Sequence, residues 1–220
     1  MTTARGSLAS SRLRGLAQRA VQERQEALEH CELCKEVIPA NHRHLLDLRS
    51  GDLMCACQAC KILFDRKEAG AGHYRLVPDR RLRIEDFRLG DESWAALEIP
   101  VDMAFFFNST RAERVSAFYP SPAGPTESLL RFDAWKDLEQ ANPILLSLEP
   151  DVEALLVNRA RGARDYFVVP IDDPYRLVAL IRGRWRGLTG GQEVWEEIEG
   201  FFARLSEGAK TVSTDQQEGT

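Results

Sequence analysis

The chain has 220 residues, 44% of them apolar and 29% charged, which is enough for one sizeable core or for a small module beside a domain of ordinary size. No apolar run approaches the roughly 18 residues of a membrane helix, and the first residues lack the apolar stretch of a secretory signal, so a soluble, cytoplasmic protein is expected. Net charge is −5, but the first 90 residues hold 16 Lys and Arg against 12 Asp and Glu while the remainder holds 13 against 22. With a pI near 5.5, that mixture disfavours polyanion binding by the whole chain and leaves it open only for the front part.

In chain order, residues 1–30 come first. Leu13, Leu16, Ala17, Ala20 and Val21 recur at helical spacing, which predicts an amphipathic helix over about 11–29. The first 21 residues of the chain carry Arg5, Arg12, Arg14 and Arg19 and no acid, the composition of a basic helix or tail and also of a transit peptide. Residues 31–70 hold all five cysteines, and a Gly70-Ala71-Gly72 joint follows. Residues 73–205 mix element types. Short β-branched and aromatic runs predict strands at 105–107, 115–119, 153–157, 166–170 and 177–181, with Asp172-Asp173-Pro174 as the turn of a hairpin between the last two. Helices are expected at 91–97, at 133–141 with Asp133 as N-cap, and at 192–205, where Val194, Trp195, Ile198, Phe201, Phe202 and Leu205 share a face that should cover the sheet. The Pro- and Gly-rich residues 118–128 read as a rigid turn, and residues 206–220 as a disordered tail. Strands without regular alternating helices favour an α+β class: a mixed or antiparallel sheet covered by helices behind a small N-terminal module.

Clustered cysteines in a chain without a secretory signal point to a metal and not to a disulfide framework. Cys31-x-x-Cys34 and Cys57-x-x-Cys60 are two thiolate pairs, each able to fold a turn around one edge of a tetrahedron, which suits a structural zinc ion. Between them, residues 42–48 and 53–57 read as strands around an Arg49-Ser50-Gly51-Asp52 turn, and a helix should start near Gln58. This order of knuckle, hairpin and helix resembles the treble-clef zinc finger, in which the last ligands come from the helix start.

Cys55 shares a strand face with Cys57 and has three readings: a thiol beside the site, an alternative ligand, or a small buried apolar residue. His42 and His44 also share a face. They can serve as donors behind the ligands, as surface residues, or as ligands in place of a cysteine. A metal-dependent nuclease of the His-Asn-His class would need His and Asn on the helix, and residues 58–67 offer neither. Iron is the rival metal, as in rubredoxin or an iron–sulfur electron carrier, although Lys35 and Lys61 stand where rubredoxin knuckles usually place Gly. No Ser, His and Asp constellation can be assembled, because no histidine follows His73.

The segments CELCKEVIP, HRHLLDL, CACQAC, FYPSPAG, TESLL, EPDVEALLV and YRLVALIR resemble an uncharacterised family encoded beside high-affinity nickel–iron uptake hydrogenases, over about residues 28–205. That resemblance implies a non-enzymatic accessory protein that contacts hydrogenase or maturation subunits. It supplies no catalytic residue. An electron carrier and a nucleic-acid-binding regulator using the cysteine module are the competing expectations.

Overall fold

The computed structural model describes residues 29–64, 72–187 and 189–214. All but the last residue of the helix expected over 11–29, most of the glycine joint and residues 215–220 of the expected tail lie outside these residues. What is described is α+β, with a four-cysteine cluster and two sheets.

The first sheet has three strands in the order β2-β1-β3. Strands β1 (Arg43–Asp47) and β2 (Leu53–Ala56) form the expected antiparallel hairpin. Its turn closes where the Asp47 carbonyl accepts the Gly51 N–H at 2.7 Å, and Gly51 takes φ +82°, a conformation that costs a Cβ-free residue little. Helix α1 (Gln58–Phe64) follows directly, and β3 (Tyr74–Leu76) adds to the free edge of β1.

Seven strands make the second sheet, in the order β10-β4-β9-β8-β5-β6-β7. They are β4 (Leu82–Ile84), β5 (Met103–Ser109), β6 (Arg114–Ser121), β7 (Gly124–Ser128), β8 (Glu153–Asn158), β9 (Asp165–Pro170) and β10 (Lys210–Val212). All neighbours are antiparallel except β10 and β4, which makes the sheet mixed. Its two faces are both buried. Ala104, Phe106, Leu155, Val157 and Val168 face one core with Trp94, from α2 (Asp91–Ala96), and with Trp135 and Leu138, from α3 (Phe132–Ala141). Phe105, Leu156, Phe167 and Val169 face the other, beneath α4 (Asp172–Arg184) and α5 (Gln192–Gly208). The alternation follows from the two-residue period of a strand, and each fully buried large side chain stabilises the fold by about 1.5–3 kcal/mol.

Four expectations are corrected. Residues 177–181 belong to α4, so β9 has no hairpin partner there; Asp172 and Asp173 occupy the first turn of that helix. Asp133 is not the N-cap of α3, a position held by Arg131. Residues 118–128 are mostly strand: β6 and β7 pair across a tight turn with Ser121 opposite Gly124. Finally, α5 runs on to Gly208 and β10 then extends the sheet edge, with Thr214 fully buried, where a disordered tail was expected. Thr214 donates its N–H to Asp86 at 2.6 Å and accepts the Ile144 N–H at 3.0 Å.

Leu46 of β1 enters the second core, with Leu48 and Leu53 packed beside it, so the hairpin lies against the large sheet's α4 side. Cys31, Ile38, Leu45, Ala56, Cys57 and Cys60 form a third, small core of their own.

Candidate metal centre

Residues 31–36 fold into a knuckle because Cys31 donates its N–H to Glu36 O and accepts that of Lys35, both at 2.8 Å. The turn needs a left-handed residue after Cys34, and Lys35 supplies it at φ +64°. A second tie joins knuckle to hairpin: Glu32 N–H donates to Cys55 O at 2.9 Å, and the Glu32 carboxylate accepts the Cys55 N–H at 2.6 Å. The other cysteine pair straddles the start of α1, where the Cys60 N–H points at Cys57 Sγ at 3.4 Å. The sequence-expected order of knuckle, hairpin and helix is therefore present.

These contacts bring the sulfurs of Cys31, Cys34, Cys57 and Cys60 within 4.8 Å of one another, with Cys34 and Cys57 at 3.5 Å. None is in a disulfide. Four sulfurs at such distances form a cluster that can hold a metal ion, and their chemistry fits a cation. Burial pushes the Cys31 thiol up, but backbone N–H groups of Cys34, Cys57 and Leu33 donating to its sulfur bring it down to about 6. Cys60 moves the other way, raised by burial and by the neighbouring sulfurs. For Cys34, the Glu36 N–H lowers the thiol, but Cys57 and Cys31 outweigh it and the net direction is upward. One thiolate thus forms readily while Cys34 and Cys60 resist adding like charge, a conflict that a bound divalent cation removes.

Cys55 stands apart from this set. Its sulfur groups with His42 and His44, and a ligand atom of each of these three lies within 4.8 Å of the other two. The two histidines thus lie in this second group and not in the four-sulfur cluster. His44 is directly opposite Cys55 in the β1–β2 register, and its Nδ1 is 3.0 Å from an Asp172 carboxylate oxygen. Asp172, Arg176 and Arg81 come from far along the chain to line one cavity of about 410 Å³ with His42, His44 and Lys61. Arg81 also grips Asp173 with two hydrogen bonds of 2.6 and 2.9 Å.

Sequence reasoning missed Asp172 here, since it assigned the Asp pair to a hairpin turn. The one available signal was two acids and Pro174 ahead of an apolar run ending in Arg182 and Arg184, the charge order of a helix along its dipole. Burial raises the Asp172 carboxyl, yet the His44 hydrogen bond, Arg176 and Arg81 together hold it below the ordinary carboxylate range.

Among the described residues no helix is long and apolar enough to cross a membrane. No curated protein and no solved structure matches the chain. A family model does match, over residues 30–209, which takes in the cysteine cluster, the small sheet and all of the large sheet except β10; the chain belongs to a family of unknown function, DUF5947.

Proposed function

We propose that the chain is a non-enzymatic accessory protein in which a structural zinc ion on Cys31, Cys34, Cys57 and Cys60 holds a treble-clef module that docks a protein partner. The observation that carries this reading is the complete four-sulfur cluster beside an apolar surface: Ile62 and Leu63 of α1 are each 64% exposed and Val37 is 48% exposed. Side chains of this kind on a rigid, metal-pinned helix suit recognition. Zinc is favoured over iron because the second cysteine pair sits at a helix start and not in a second knuckle. Zinc has no redox role, so its work here is to fix the fold of a module whose own core is small. The hydrogenase resemblance makes a hydrogenase or maturation subunit the first partner to seek.

The test uses the full chain, purified anaerobically and then used as bait in a hydrogenase-expressing host. Colourless protein with zinc and no iron is expected, together with recovery of a hydrogenase or maturation subunit. An Ile62→Asp, Leu63→Asp double variant should keep its zinc and lose the partner. Iron in place of zinc, no such partner, or a partner retained by the double variant would each overturn the reading.

A further inference from the structure

Two ordinary histidines on a hairpin would be expected to point at water or to satisfy both ring nitrogens. His42 does neither. Its side chain is 6% exposed, its Nδ1 lies 2.9 Å from Pro39 O and 3.1 Å from a Glu29 carboxylate oxygen, and its Nε2 has no hydrogen-bond partner. Both neighbours of Nδ1 are acceptors, so Nδ1 carries the proton, and the Nδ1–H tautomer presents the lone pair of Nε2 inward. His44 repeats the pattern: Asp172 accepts from its Nδ1 at 3.0 Å, which leaves Nε2 as its ligating nitrogen.

These rings meet edge to face with centroids 4.8 Å apart, and Cys55 sits across the ladder from His44. Three buried side-chain polar atoms among the described residues lack a partner. Two of them, His42 Nε2 and Asp172 Oδ1, belong to residues lining the same cavity. Leaving such atoms unsatisfied is unfavourable, a penalty that a ligand would remove.

We propose that His42, His44 and Cys55 form a second metal site, distinct from the four-cysteine cluster, for a divalent transition ion of borderline softness. Two imidazoles and a thiolate select this class over calcium or magnesium, which prefer oxygen. Three protein ligands leave a fourth position open, on the side of the cavity that the histidines line. Asp172 is a positioning residue: its carboxylate fixes the His44 tautomer and ring orientation, as carboxylates behind metal-bound histidines do. The hairpin register and the cavity carry this inference whatever metal the four-cysteine cluster holds.

Cobalt(II) is the probe, titrated into full-length protein that already carries one equivalent of zinc. Native mass spectrometry should show a second metal equivalent, and long-range ¹H–¹⁵N spectra should show the Nε2 resonances of His42 and His44 shifting when a second equivalent of zinc is added. A His42→Gln, His44→Gln variant with unchanged circular dichroism should stop at one equivalent, and Asp172→Asn should weaken the second by roughly tenfold or more. A wild-type chain that saturates at one equivalent overturns the proposal. So does a second equivalent that survives in the double variant, or Nε2 resonances that stay fixed in the wild type, a readout that does not depend on any variant folding.

Discussion

Lys35 stands at the tightest point of the metal module, in a left-handed conformation where a Cβ crowds the backbone. Its ammonium reaches back to Glu32 O at 3.2 Å, an exposed hydrogen bond of little net value. Glycine would relax the turn but would also have more freedom to lose on folding, so the two effects partly cancel. Lys35→Gly is therefore expected to stabilise the metal-loaded chain by about 0.5–1 kcal/mol, read as a higher midpoint in chemical denaturation at constant zinc. A lower midpoint would mean that the Lys35 side chain contributes more than this single contact.

At the scale of elements, β10 tests how much of the large sheet depends on its last strand. Val212 is buried in the first core, and Thr214 joins Asp86, Ile144 and Asn142 through four hydrogen bonds when its hydroxyl contact to Asn142 Oδ1, at 3.2 Å, and that of neighbouring Ser213 to Asp86 are counted. Ending the chain at Gly208 would expose Leu82 and Ile84 and leave the Asn142 site incomplete. A loss of about 2–5 kcal/mol is expected by urea unfolding, because buried apolar area and buried polar partners go together. An unchanged midpoint would show that β10 is dispensable.

Nothing in residues 206–214 announces that strand. Lys210, Thr211 and Val212 are too few to show a period, and their pairing with β4 is more than a hundred residues away in sequence. Residues 177–181 failed for a related reason, since a five-residue apolar run fits a buried strand and a buried helix equally well. Here the flanking charges decided for the helix. The four-cysteine cluster was legible because its geometry is written in short spacings and a local hairpin. Cys55 and the two histidines were visible as separate candidates, but neither their meeting across the hairpin nor the carboxylate that orients His44 was, the latter because it is 128 residues distant.

For the whole molecule, the cysteine module and the large sheet meet along a seam that is apolar at Leu46, Leu48 and Leu53 and hydrogen-bonded where His44 Nδ1 donates to the ionic Asp172 carboxylate. The ionic part makes their union sensitive to acid. Asp172 has a folded-state pKa below the ordinary value near 3.9, so its contribution is fully present above about pH 4 and is lost as pH falls through the lower, folded value. Asp172→Asn keeps the shape and an acceptor for His44 Nδ1 but removes the charge facing Arg176, which is 3.1 Å away. At neutral pH the variant should be about 1–2 kcal/mol less stable, the usual scale for losing a charge-assisted hydrogen bond in a buried place. Below pH 4 the wild type should lose this advantage and the two denaturation midpoints should converge. Release of a metal from cysteines in acid would lower both proteins alike, so the difference between them isolates the seam. A gap that stays constant from pH 7 to pH 3 would show that Asp172 stabilises the chain through packing and not through its charge.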